Sequence, residues 1–301
     1  MQKIVPHLWF DTEAREAAEF YCGVFADSEV SSITTLTDTP SGDCDVVSFR
    51  LRSYEFMAIS AGPLFRINPS ISFIVNFEGD DPGAAERLDR TWDELADGGA
   101  ELMPLGEYPF SKRYGWIQDR YGVSWQLILS NPEGDPRPGI VPSLMFTGEV
   151  CGRAEEAMNF YLSVFSDAER GQVARYLEGV EPDEPGTVMF ADFRLHDGWF
   201  AAMDSAREHD FGFNEAVSLM VNCADQAEID RHWERLSAVP EAEQCGWLKD
   251  RFGVSWQVVP AEMGEMMASG TREQIDRVTR AFLPMKKFDL AELRRAYRGA
   301  G

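Results

Sequence analysis

The chain contains one long segment twice. Residues 114–128 read YGWIQDRYGVSWQLI, and residues 245–259, which begin 131 positions later, read CGWLKDRFGVSWQVV. Composition alone does not produce two segments of this length and similarity, so they indicate the duplication of a structural unit. A period of this size is too long for a solenoid repeat and is typical of two related domains in tandem.

Other segments recur in the same order in both halves of the chain. Three such pairs are VPHLWF at 5–10 with VPSLMF at 141–146, FYCGVFADSE at 20–29 with FYLSVFSDAE at 160–169, and INPSISFIVN at 67–76 with FNEAVSLMVN at 213–222. The stretch SNPEGDPRPG at 130–139 is rich in Pro, Gly and Asp and has no apolar period, which is typical of a junction. We therefore predict domains at 1–133 and 134–262, paired within the chain, and a helical extension at 263–301.

The charge balance limits the partners of the protein. The 301 residues include 28 Lys and Arg against 51 Asp and Glu, a net charge of −23, which disfavours nucleic acid and anionic membranes as partners. No apolar run is long enough to span a membrane, and the N-terminal MQKIVPHLWFD does not resemble a signal peptide. The five cysteines show no CxxC spacing, which is typical of reduced thiols. We therefore expect a cytoplasmic protein.

The sequence pattern of each half predicts two consecutive modules, each with a strand, a helix and three further strands. The DRYG and DRFG segments suit type I turns that close a hairpin, with Asp first and Gly fourth. In the strand that follows, alternation directs Trp125 toward the helices and Gln126 to the opposite face. The same alternation places His7 and Trp9 on the face opposite Leu8. Each sheet then has one apolar face and one mixed polar and aromatic face, which suits a small-molecule cleft.

This βαβββ order and several motifs resemble the vicinal oxygen chelate superfamily of glyoxalases, dioxygenases and bleomycin-resistance proteins. The motifs are LWF near the start, FMAIS, FNEAVSLMVN, CGWLKDRFGVSWQ and the closing MKKFDLAEL. More narrowly, the chain resembles the PhnB-like branch, often labelled a demethylubiquinone methyltransferase domain. The resemblance covers nearly the whole chain. It implies an α+β fold of tandem glyoxalase-like domains, each with two βαβββ modules in a cupped mixed sheet and helices on the outer face.

The resemblance also implies where a metal would bind. Metal-bearing members use His and Glu on the first and last strands of each module. The matching positions here are Val5 or His7, Met57 or Ile59, Ser72, Gln126, Ser143, Ala201 or Met203, Ser218 and Gln257. Only His7 is a good ligand, whereas a divalent site needs about three protein donors. The chain also lacks a Gly-rich strand-to-helix loop for an adenosyl cofactor, so we expect no metal and no cofactor.

The residues predicted to face a ligand come from both repeats. They are His7, Trp9, Ser72, Trp116, Gln126, Ser143, Ser218, Trp247 and Gln257. The two Gln amides can both donate to and accept from a bound carbonyl or phosphonate-like group, or each can satisfy a neighbouring strand. His7 is interpreted either as a metal ligand or as a hydrogen-bonding wall residue. The Trp rings either stack on a flat ligand or pack.

The leading hypothesis is a metal-independent protein that binds a small molecule in the cupped-sheet cavity. Two alternatives stay open: an enzyme (lyase, isomerase or transferase) acting on a small polar or aromatic metabolite, and a binder that sequesters a drug. Formation of a homodimer also stays open. His196, His209 and His232 have no counterpart in the other repeat and are predicted on the surface. The C-terminal extension is predicted as two helices, at 262–281 and 289–297.

Overall fold

The computed structural model describes residues 2–131 and 133–299, and within them the chain forms four modules that each begin with a strand and a helix. The first contains β1 (Ile4–Phe10), α1 (Ala14–Val24), β2 (Glu29–Thr39), β3 (Gly42–Leu51) and β4 (Tyr54–Ser60). The second contains β5 (Ile71–Glu78), α2 (Ala84–Ala96), β6 (Ala100–Tyr108), β7 (Ser111–Gln118) and β8 (Ser124–Ser130). The third contains β9 (Ile140–Phe146), α3 (Ala154–Val164), β10 (Ala168–Arg175), β11 (Val188–Leu195) and β12 (Gly198–Asp204). The fourth contains β13 (Val217–Cys223), α4 (Gln226–Leu236), β14 (Trp247–Lys249) and β15 (Ser255–Pro260).

The strands of the described residues form two mixed sheets. The first sheet has seven strands in the order β14-β15-β13-β1-β4-β3-β2. The second has eight strands in the order β10-β11-β12-β9-β5-β8-β7-β6. The helices α1 and α4 pack on the first sheet, and α2 and α3 pack on the second. This confirms the predicted α+β class with two modules in each mixed sheet.

The two modules of one repeat do not share a sheet, which corrects the expected arrangement. The first sheet joins the first and fourth modules through β1 and β13, and the second joins the middle modules through β5 and β9. The modules of one repeat share an apolar core instead, where the rings of Tyr21 and Trp125 lie 5.2 Å apart. Tyr161 and Trp256 repeat this contact at 5.3 Å. Sequence similarity reveals the modules, but it does not specify which module covers the open edge of β1 or β5.

The repeated DRYG and DRFG segments form the predicted turns. The N–H of Gly122 donates to the carbonyl of Asp119 at 2.9 Å, and Gly122 has a φ of +87°, which favours glycine. The Asp119 carboxylate accepts from two following backbone N–H groups and from the Trp125 indole at 2.8 Å. Asp250 accepts the same three bonds, with the Trp256 indole at 2.9 Å. Each carboxylate therefore holds its Trp on the helix side of the sheet.

The C-terminal extension forms three helices within the described residues rather than the two predicted. They are α5 (Ala261–Ser269), α6 (Arg272–Phe282) and α7 (Leu290–Arg298). The prediction of one helix over 262–281 is wrong because α5 ends before Gly270 and a new helix begins after Thr271. The Thr271 side chain accepts from the backbone of Gln274, and the Gln274 side chain accepts from the backbone of Thr271. This reciprocal cap starts α6 as a separate helix.

The extension covers part of the first sheet. Helix α5 contacts both β2 and β15, which lie toward opposite edges of that sheet. The backbone N–H groups of Cys245 and Gly246 donate to the carbonyls of Met285 and Lys286 at 2.8 and 2.7 Å. In the fourth module, the extension therefore occupies the position that β6 occupies beside β7 in the second module. Phe288 packs so closely on Gly246 that a Cβ there would lie 2.6 Å from its ring. The extension is therefore anchored to the fourth module.

One histidine prediction is wrong. His196 and His209 are partly exposed, but His232 is only 1% exposed. It lies on the buried face of α4, three residues after Ile229, and Leu236 belongs to the same face. Burial lowers the pKa of His232 to about 4, so the ring is neutral at pH 7. The lack of a counterpart in the other repeat suggested a surface position, whereas the helical spacing places the ring in the core.

The contact between Gly246 and the extension gives a test of this anchoring. Gly246→Ala adds a methyl group against the Phe288 ring at a position with a φ of +83°, so we expect the free energy of unfolding to fall by about 1 to 3 kcal/mol. Gly264→Ala in α5 is the matched control. Its added Cβ meets no atom within 4 Å, so better helix propensity should raise stability by up to about 1 kcal/mol. Urea denaturation measures both, and equal effects would contradict the anchoring.

Candidate ligand-binding site

The predicted site residues lie on the sheet faces that point away from the helices. We call the face of the first sheet opposite α1 and α4 the first cup, and the face of the second sheet opposite α2 and α3 the second cup. The first cup carries His7, Trp9, Ser218, Trp247 and Gln257. The second cup carries Ser72, Trp116, Gln126 and Ser143. The nine residues therefore form two separate groups, one in each sheet, and each group combines residues from both repeats.

In the second cup, the polar groups are arranged around Gln126. Its Nε2 donates to Ser72 Oγ at 2.8 Å, and its Oε1 accepts from the hydroxyl of Tyr114 at 2.7 Å. Ser143 lies opposite Ser72 on the neighbouring strand and is 1% exposed, but its hydroxyl has no hydrogen-bond partner. Gln126 therefore bonds to residues of neighbouring strands, which is one of the two roles that the sequence suggested for it. The buried hydroxyl of Ser143 has no partner.

The first cup repeats this arrangement with different neighbours. Gln257 Nε2 donates to Ser218 Oγ at 3.0 Å, and His7 lies directly opposite Ser218. The Nδ1 atom of His7 is buried and has no hydrogen-bond partner. The ring of Trp247 meets the His7 ring edge-on at 5.5 Å and the Trp9 ring at 6.0 Å. The two Trp rings are half-buried, so this cup has an aromatic border.

Burial controls the charge of His7. The side chain is 5% exposed, and burial lowers its pKa to about 4. The imidazole is therefore neutral at pH 7, with one nitrogen that donates and one that accepts.

This pKa predicts a pH dependence of stability. Unfolded His7 takes up a proton near pH 6.5, but folded His7 does so only near pH 4, so the stability present above pH 6.5 is lost as the pH falls between these values. Over that range we expect the wild type to lose roughly 1 to 3 kcal/mol more than His7→Phe does. Urea denaturation at several pH values measures the two slopes, and parallel slopes would contradict a buried neutral imidazole.

The residues at the metal positions of the superfamily do not fit a divalent ion. Among the described residues, no group of three or more His, Cys, Asp or Glu side chains is placed to hold a metal. His7 has Ser218 and Met57 as its cross-strand neighbours, and the amide groups of Gln126 and Gln257 bond to serine hydroxyls. These neutral donors differ from the His and carboxylate sets that divalent ions prefer.

This donor set gives a direct expectation for the purified protein. Protein isolated without chelator should contain well below one equivalent of zinc, nickel, manganese or iron per chain. Elemental analysis of the protein, before and after dialysis against a chelator, measures this. One tightly held equivalent that dialysis removes with a loss of thermal stability would contradict the expectation.

The residues predicted to face a ligand did not include several residues that line the two cups. Tyr114 stands two positions before Trp116 on β7, so strand alternation was a sufficient signal for it. Ser124 and Ser255 lie two positions before the two Gln residues and share their face for the same reason. Nothing in the sequence indicated that the indole of Trp116 donates to Ser124 Oγ at 2.7 Å.

Two surface depressions lie outside the cups. One, of about 530 Å³, is bordered by α1 and α2 residues, including Phe20 and Asp93. The other, of about 330 Å³, is lined by residues such as Tyr54 and Asp197 near strand turns. Neither includes any of the nine predicted residues. Separately, no helix among the described residues is long and apolar enough to cross a membrane.

Comparison with known proteins identifies relatives of each repeat. A model of the 3-demethylubiquinone-9 3-methyltransferase family matches residues 2–128 and 138–259, about four fifths of the chain. The PhnB protein from Bacillus cereus is 40% identical over 43% of this chain and 100% of its own, with a TM-score of 0.38. A Staphylococcus aureus protein is 30% identical over 44% of this chain and 98% of its own, with a TM-score of 0.18. No curated protein matches the sequence.

A more distant relative resembles nearly the whole chain. Glyoxalase I from Zea mays is 11% identical over 89% of this chain and 98% of its own, with a TM-score of 0.52. At this identity the similarity concerns the fold alone, and it agrees with the two mixed sheets built from βαβββ modules. Together with the double match of the family model, it confirms the resemblance inferred from the motifs. The chain belongs to the 3-demethylubiquinone-9 3-methyltransferase family, whose model it matches in two tandem copies.

Proposed function

We propose that this protein binds a small molecule on the inner face of a cupped sheet and does so without a metal ion. One observation carries the proposal: a buried Gln–Ser pair occupies the same place in both cups, beside a buried polar atom with no partner. These atoms are Ser143 Oγ and His7 Nδ1. A buried polar group without a partner costs about 1 to 3 kcal/mol, which a ligand or water that completes the hydrogen bond recovers.

The same residues favour binding over catalysis. In an enzymatic alternative, Gln126, Gln257 or His7 polarises a substrate carbonyl, as a lyase, isomerase or transferase would require. Amide groups donate hydrogen bonds but do not transfer protons near neutral pH. His7 has a pKa near 4, well below the value that suits a general base at pH 7. Sequestration of a drug-like molecule would use the same surface and needs no proton transfer.

Methyl transfer, the activity in the family name, finds little support in this chain. Adenosyl cofactors commonly bind where a Gly-rich loop joins a strand to a helix in a parallel sheet. Here β1 leads into α1 through Asp11, Thr12 and Glu13, and β9 leads into α3 through a longer turn. The proposal therefore rests on the two cups rather than on the family name.

A thermal-shift screen of metabolites and antibiotics tests the proposal. A ligand that binds in a cup should raise the melting temperature of the wild type. Gln126→Ala or Gln257→Ala should weaken its binding about tenfold, because a hydrogen bond to the amide is worth about 1 kcal/mol or more. Each shift is measured against the melting temperature of the same variant without ligand, since Gln126 also bonds to Ser72 and Tyr114.

Gln172→Ala is the matched control, because this Gln is exposed on β10. This strand is the edge of the second sheet, and three strands separate it from β5, which carries Ser72. It should leave every ligand-induced shift unchanged. A ligand whose stabilisation is the same in both cup variants does not contact the glutamines, and this outcome for all ligands would contradict the proposal. Turnover of a confirmed ligand, followed by chromatography, would identify an enzyme rather than a binder.

A further inference from the structure

The two cups differ in how far their own side chains satisfy one another. Accepting the proposed function, we propose that only the first cup is a ligand site, and that it takes a flat, uncharged, conjugated molecule that both donates and accepts hydrogen bonds. The second cup is then a self-satisfied counterpart that stabilises the fold.

In the second cup, two internal hydrogen bonds satisfy most of the polar groups of the sheet face. The indole of Trp116 donates to Ser124 Oγ at 2.7 Å. The hydroxyl of Tyr114 donates to Gln126 Oε1 at 2.7 Å, so both ends of the Gln126 amide are occupied. A ligand that entered here would have to break these bonds, and it would gain a new hydrogen bond only from the unpaired hydroxyl of Ser143.

In the first cup, the equivalent bonds are missing among the described residues. Ser255, the counterpart of Ser124, is 1% exposed, and its hydroxyl has no partner. Cys245 stands where the second cup has Tyr114, so Gln257 Oε1 accepts no hydrogen bond from a described residue. His7 Nδ1 is also unpaired. Ser255 and His7 lie on the two strands that flank β13, so these groups border one small area of the face.

The C-terminal extension accounts for this difference. The backbone of Cys245 has a φ of +50° and donates to the Met285 carbonyl, and its thiol faces the Leu283 carbonyl at 3.3 Å. This segment therefore leaves the regular strand, and β14 is only three residues long. Trp247, at the start of this strand, packs against the His7 ring and does not bond to Ser255. The extension thus leaves polar groups free in the first cup.

The walls of the first cup define the class of ligand. Trp9 and Trp247 present flat aromatic surfaces at its open end, where an aromatic ligand can stack. Met57 of the sheet and Met266 of α5 belong to one apolar cluster over the other end. Methionine side chains adapt to irregular shapes, so this cover tolerates different ring outlines.

Charge further limits the ligand. His7 is neutral because burial lowers its pKa to about 4. Lys249, which follows Trp247 on β14, is neutralised by Glu215 at 2.9 Å. A charged ligand would lose its hydration without gaining an opposite charge, which is costly. A neutral lactam or carboxamide on an aromatic ring supplies both a donor and an acceptor for His7, Ser255 and Gln257.

The first part of the test needs no ligand. Ser124→Ala removes the acceptor of the Trp116 indole, so its melting temperature should fall by about 2 to 4 °C. Ser255→Ala removes a hydroxyl without a partner, so its melting temperature should stay the same or rise. Differential scanning calorimetry compares the two variants, which differ only in the repeat that carries the change. An equal loss in both would overturn the proposed difference between the cups.

The second part measures binding by isothermal titration calorimetry. Quinolin-2-one and benzamide are the neutral probes, and benzoate and benzylammonium are the charged controls. The neutral probes should bind the wild type, and Ser255→Ala and His7→Phe should weaken them tenfold or more. Ser124→Ala and Ser143→Ala, at the equivalent positions of the second cup, should change binding less than twofold.

The outcomes separate this inference from the proposed function. Binding lost in the Ser124 and Ser143 variants but kept in the Ser255 variant would place the ligand in the second cup, which overturns the inference and leaves the proposed function intact. Binding unchanged in all four variants would contradict the proposed function itself. Tighter binding of benzoate or benzylammonium, or no binding of either neutral probe, would overturn the ligand class.

Discussion

The hydrogen bond between a turn carboxylate and a buried indole sets the geometry on which both cups depend. Asp119 accepts from Trp125 at 2.8 Å and Asp250 accepts from Trp256 at 2.9 Å, in both cases six residues along the chain. Side chains alternate along a strand, so fixing the indole on the helix side forces the next residue, Gln126 in the second sheet, onto the cup side. A slip of one residue would exchange the two faces, and the carboxylate prevents it.

The pairing of modules across repeats has a further consequence. Because β1 pairs with β13 and β5 pairs with β9, each cup is lined by side chains from both halves of the chain. His7 and Ser218 meet in one sheet, although they are distant in the sequence. Duplication of the gene segment therefore produced two composite cups rather than one cup per repeat. A change in one module then alters one cup and leaves the other intact, which is the condition under which two related sites diverge.

The sequence predicted the parts of the site that local geometry controls. Strand alternation was enough to place His7 and Gln126 opposite their apolar neighbours, because the period of a strand does not depend on the partner strand. The sequence did not predict which modules join in one sheet, because each module has an open edge strand that several modules could cover equally well. The helical spacing of His232 indicated its buried position, but the lack of a counterpart in the other repeat led to the wrong prediction of a surface position.

The divergence of the first cup follows from the loss of a regular edge. In the second module, β6 pairs with β7 and keeps Tyr114 over the Gln126 amide. In the fourth module, the C-terminal extension pairs with the chain at Cys245, and that residue leaves the strand geometry. An unpaired polar group is a cost that folding tolerates only when the rest of the structure is stable enough. Here the extension supplies an apolar cover at one end of the first cup and close packing on Gly246, and these contacts offset the cost of the unpaired groups elsewhere in the cup.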